Sequence, residues 1–193
     1  MSYCHDILLD KNFDRAAFAA AAKDIRTLIS RSEVKVVGSY GRPLSLPVVE
    51  ENLIEFNGIN QKCVCGESDL DDYCPPECSP FGSFGGHAQP FIIDLTSESY
   101  IGFCKDRYWF DCKTKRKPYD KLVKMSMIAL KHHLGDSIEL SSHGNWSYDW
   151  GAGYELSELT PRRTPRGAVA VYEHIFPERA PVQNIFSRES DGF

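Results

Sequence analysis

Residues 118–135 read PYDKLVKMSMIALKHHLG, and this stretch decides the fold. Pro118 suits a first helical turn, and Asp120 sits where a helix dipole favours an anion. Leu122, Val123, Met125, Met127, Ile128, Ala129 and Leu130 leave almost no polar side in the middle. A helix that is apolar nearly all round is a buried one. Lys131, His132 and His133 fill the last turn, and Gly135 follows Leu134 as a natural C-cap. The spacing therefore predicts a central helix over about 118–134.

Upstream of it, residues 14–30 predict an amphipathic helix. Phe18, Ala21, Ala22, Ile25, Leu28 and Ile29 share one face, and Asp10, Asn12 and Asp14 are candidate N-caps. Short strands are expected at 33–38, 48–49, 53–56 (closed by an Asn57-Gly58 turn) and 91–93. Gly41-Arg42-Pro43 reads as a turn. Residues 100–112 read as a hairpin, YIGFC and YWFDC around Lys105-Asp106-Arg107. Its register sets Cys104 opposite Tyr108 and Cys112 opposite Tyr100, which holds Cys104 and Cys112 too far apart for a disulfide. Ile138 and Leu140 suggest a strand, 141–145 a turn, and 146–159 a short helix. Strands mostly precede the central helix, so the expected class is α+β, with a largely antiparallel sheet packed on helix 118–134. One domain is expected over 1–160, followed by an arginine-rich tail over 161–193 that is interrupted only by 169–176.

The chain has 193 residues, 42% of them hydrophobic, enough for a real core. Its net charge of −5 argues against coating nucleic acid through overall charge. No apolar run reaches the roughly 18 residues of a membrane helix. The opening MSYCHDILLDKNF carries no basic stretch leading into an apolar block, so no secretory signal is expected. With seven cysteines, an odd number, a reducing cytoplasm is the expected location. Charge is segregated: residues 50–78 hold eight acids against Lys62, and residues 105–131 hold nine bases against three acids. Two charged lobes can meet different partner surfaces, or simply stay solvated.

Four cysteines, Cys63, Cys65, Cys74 and Cys78, fall in an irregular Pro/Gly-rich excursion over 63–86. Two close pairs of thiolates can complete a tetrahedral structural zinc site, with His87 able to replace one ligand. The C-x-C and C-x₃-C spacings depart from the usual knuckles, so free thiols and disulfides stay open. Gly82 to Gly86 resemble a phosphate loop only in glycine content, since Pro90 resists the helix such a loop needs. A hydrolase would draw on His132, His133, Asp136 and His143 beside Ser141 and Ser142. Lys113, Lys115, Arg116 and Lys117 next to Tyr108 and Trp109 read as a solvated basic loop, or as a basic, aromatic patch for a protein or a single-stranded nucleic acid. Trp146, Tyr148, Trp150 and Tyr154 form a second aromatic group, read as core or as an interface hot spot through Trp146 and Trp150.

The run DCKTKRKPYD over 111–120, then KHHLGD over 131–136 and SSHGN over 141–145, resembles a family of small uncharacterised proteins of phages and bacteria. Residues 53–58 resemble that family's earlier strand, the likeness covers roughly half the chain, and 63–86 reads as an insertion. The chain departs at His143, where the family carries an aspartate. The resemblance implies origin in a phage or mobile element acting inside a bacterial cell, and no activity. The resulting expectation is a non-enzymatic protein that binds a host protein complex, in its sharpest form an anti-CRISPR-like inhibitor of a defence system. A zinc-stabilised nucleic-acid binder and a small hydrolase are the alternatives.

Overall fold

A computed structural model describes residues 3–39, 45–59, 89–96, 106–115, 117–144, 146–151, 154–157, 160–165 and 167–186. In chain order the elements are β1 (Cys4–Asp10), α1 (Arg15–Arg31), β2 (Val36–Val37), β3 (Val48–Val49), β4 (Leu53–Gly58), β5 (Phe91–Asp94) and β6 (Arg107–Lys113). Then follow α2 (Asp120–Leu134), β7 (Ile138–Ser142), β8 (Tyr154–Ser157), β9 (Thr160–Pro165) and α3 (Ala168–Ile175). Every strand pair is antiparallel, and the class is α+β as expected.

One sheet has the order β6-β1-β7. In a second, β4 pairs with β3, with β5 and, through its last two residues, with β2. The β8–β9 pair stands as a two-stranded unit. α2 is the hub: Leu122, Val123, Met125, Met127, Ala129 and Leu130 are fully buried, and the inward residues of both larger sheets join the same core. Its end matches the sequence reading, with Gly135 at φ 55° and its N–H bonded to the Lys131 carbonyl. α1 begins where Asp14 Oδ1 accepts from Ala16 N at 2.8 Å, which selects one cap among the three candidates.

Several local expectations are corrected. β1, the central strand of its sheet, is absent from the sequence reading, because His5 interrupts the inward series Tyr3, His5, Ile7, Leu9. Asn57 and Gly58 are not a turn but the end of β4, paired with Val37 and Val36. Ser141 and Ser142 belong to β7, not to a turn. The helix expected over 146–159 is one wide turn, closed by Gly151 N on the Trp146 carbonyl at 3.2 Å, followed by β8. Within the stretch expected as a tail, α3 forms, and Ala168, Val169, Tyr172, Ile175, Phe176 and Ile185 enter the main core. A Cβ at Gly167 would collide with the Gly151 carbonyl, so this backbone crossing demands glycine.

The cysteine-rich excursion with Cys63, Cys65, Cys74 and Cys78, the first arm of the expected hairpin with Cys104, the 41–43 turn and Arg116 all lie outside the described residues. β6, the hairpin's expected second arm, pairs with β1. No helix among the described residues is long and apolar enough to cross a membrane.

Candidate functional site

The sheet β6-β1-β7 has two unlike faces. Strand alternation sends His5, Ile7, Leu9, Phe110, Cys112, Ile138, Leu140 and Ser142 inward, and all are buried. The same alternation sends Asp6, Leu8, Asp10, Arg107, Trp109, Asp111, Lys113, Glu139 and Ser141 outward.

Behind the inner face lies a buried polar node that composition and motif reading missed. His5, 1% exposed, is hydrogen-bonded through Nε2 to Asp120 Oδ1 at 2.7 Å. Thr114 Oγ1 donates to the same oxygen. Lys124 Nζ binds Asp120 Oδ2 at 2.7 Å and the Asp149 carbonyl at 2.8 Å, and lies 5.0 Å from the Tyr3 ring centre. Burial opposes ionisation of Asp120, but the hydrogen bond and charge of His5 and the charge of Lys124 outweigh it and hold the carboxyl below its ordinary value. Burial, ahead of the charge of Asp120, pushes the Cys112 thiol up, so this cysteine is a poor nucleophile. Both Asp120 oxygens are occupied by protein groups, Oδ1 by His5 and Thr114 and Oδ2 by Lys124. The node thus ties β1, the Thr114 loop and α2 together. One signal was legible: Asp120 and Lys124 stand four apart at the start of a helix whose middle is apolar.

The hydrolase residues do not assemble. His132 is exposed, and its ring meets that of His133 edge-on at 4.9 Å. His133 Nε2 lies 2.5 Å from Asp24 Oδ2, which also binds Arg179 at 2.6 Å, and Arg179 in turn donates to the Tyr172 hydroxyl. This clasp joins α1, α2 and the segment after α3. Burial raises the Asp24 carboxyl, but the hydrogen bonds from Arg179 and His133 prevail and hold it low. Burial, then the Arg179 charge, lowers His132. Asp136 precedes β7 and His143 follows it, at opposite ends of a five-residue strand, and both are exposed.

The outer face carries the partner-binding candidates. Trp109 is 44% exposed, beside Leu8 on the neighbouring strand. Lys113 is exposed two rungs along. Lys115 is exposed too, with φ 51°, a left-handed conformation that costs a lysine strain. Lys117 is half-buried. Tyr108 is corrected: it alternates to the opposite face from Trp109 and stacks on Phe110, centroids 6.1 Å apart. Trp150 is corrected as well, being fully buried between Trp146, His5 and Phe186, and so is core. Trp146 is half-buried against Trp150 and Phe186. Leu8 and Asp6 escaped the sequence reading because β1 did. No family model matches the chain, and no curated protein or solved structure matches it significantly.

Proposed function

We propose that the protein works by contact: a non-enzymatic protein of a phage or mobile element that docks on a protein complex of its bacterial host, in the sharpest form as an anti-CRISPR-like inhibitor. The docking part is supported by one observation above the others, the indole of Trp109 left 44% exposed on a rigid sheet beside Leu8. Interface hot spots are built from such aromatic anchors. Lys113 and the strained Lys115 add charged contacts at the end of the same strand. The phage setting rests on the sequence resemblance alone. Single-stranded nucleic acid is disfavoured, because Asp6 and Asp111 put negative charge next to Trp109, where a phosphate chain would run. A structural zinc on Cys63, Cys65, Cys74 and Cys78 is a separate proposal, and metal analysis of the purified chain tests it: about one equivalent of zinc is expected, and none contradicts the zinc without bearing on docking. For the docking reading, host proteins that co-purify with the native chain are compared with those retained by Trp109→Ala. A complex lost with the variant supports the reading, and an identical set of retained proteins opposes it.

A further inference from the structure

Among the described residues, the outer face carries two carboxylates that no ion pair answers. Its rungs run Lys113–Cys4, then Asp111–Asp6–Ser141, then Trp109–Leu8–Glu139, then Arg107–Asp10. Arg107 serves the last two rungs at once, binding Asp10 and Glu139 at 2.8 Å each. Asp6 and Asp111 have nothing comparable. Lys11 N donates to the Asp106 carbonyl, which fixes the phase of the β1–β6 ladder and makes Asp6–Asp111 a non-hydrogen-bonded pair. Side chains of such a pair stand close, with Cβ atoms about 5 Å apart, and like charges directly opposite each other are destabilising. Asp6 accepts only a long 3.5 Å bond from Ser141 Oγ, and Asp111 a 3.3 Å bond from Gln89 Nε2. Neither has a cation in salt-bridge contact among the described residues.

We infer that the partner brings the missing cation: a protein segment that presents an arginine to Asp6 and Asp111, an apolar side chain to Trp109 and Leu8, and no further positive charge to Lys113. This rests on the docking reading above and adds the chemistry of the partner. Two adjacent carboxylates offer acceptors to both edges of one planar guanidinium, which a lysine's point charge matches less well. The indole lies one rung, about 7 Å, from the carboxylates, so both contacts fall within one short partner segment. Charge complementarity of this kind selects partners and speeds encounter. An acidic partner surface would meet Asp6 and Asp111 head-on.

The test pans a random heptapeptide display library against the full folded chain and measures selected peptides by fluorescence anisotropy. The expected peptides carry arginine close to an apolar residue, and bind at least about tenfold more weakly to the Asp6→Asn/Asp111→Asn double variant and to Trp109→Ala. Peptides that lose affinity for Trp109→Ala yet bind the double variant as well as the native chain overturn the inference while leaving docking intact. Peptides indifferent to Trp109→Ala, or no enrichment at all, overturn both. Binding of a 20-mer of thymidine that strengthens in the double variant overturns the inference in favour of nucleic acid. A second readout needs no partner: Asp6→Asn relieves the repulsion and should raise the Tm by about 1–3 °C. A fall in Tm would mean that the fold already satisfies Asp6, and would overturn the inference.

Discussion

On the inner face of β6-β1-β7, His5 meets Asp120, and Lys124 and Thr114 complete the carboxylate's shell. On the outer face, one residue further along the same two strands, Asp6 and Asp111 stand opposite each other with no ion pair among the described residues, and Trp109 is 44% exposed. The same backbone ladder carries both arrangements, so the difference lies in what packs behind each face. A buried carboxylate without partners costs several kcal/mol, whereas a half-buried pair costs only a fraction of that. Inner-face polar groups therefore report on stability, and the proposed docking assigns recognition to Trp109, Asp6 and Asp111 of the outer face.

The sharpest way to break this contrast is Asp120→Ala. It leaves Lys124 buried without its carboxylate and should cost about 3–5 kcal/mol in urea denaturation; a loss below about 1 kcal/mol would mean that the node is incidental. Acid gives the next test. Asp120 and Asp24 both titrate below the ordinary carboxylate value when folded. Their contribution is complete above about pH 4 and disappears as pH falls through the lowered folded values. Unfolding free energy should drop steeply below about pH 4, and more shallowly in Asp24→Asn. At the junction of the two faces, buried Thr114 is followed by Lys115 at φ 51°. Lys115→Gly should be about 1 kcal/mol more stable than Lys115→Ala, since both remove the lysine and only glycine is free of left-handed strain; equal stability of the two would show that the strain is no larger than the entropy glycine adds to the unfolded chain. The smallest effect belongs to the outer face: Trp109→Ala should change stability by no more than about 0.5 kcal/mol.

The hub helix was readable because seven apolar residues crowd its middle and Gly135 ends it, signals that depend only on neighbours in sequence. α1, β4, β5 and β7 were readable for the same reason. β1 was not, since a histidine in an inward position looks polar until Asp120, 115 residues away, supplies its partner. β9 was missed because Thr160–Pro165 reads TPRRTP, which has no apolar alternation, and it forms a strand by pairing with β8. The candidate face was half legible. Trp109 and Lys113 stood out by type, but the alternation that removes Tyr108 and adds Leu8, Asp6 and Asp111 needs the cross-strand register. Trp150 stayed open between core and interface hot spot because nothing in residues 146–150 announces that Phe186 and His5 pack against it.

The measurement that bears most directly on this division is a pair of readings on Trp109→Ala: its unfolding free energy, and its retention of the host complex that the docking proposal expects to co-purify with the native chain. Native-like stability with the complex lost is the predicted result. Native-like stability with the complex retained in full would contradict the assignment of the outer face to partner contact.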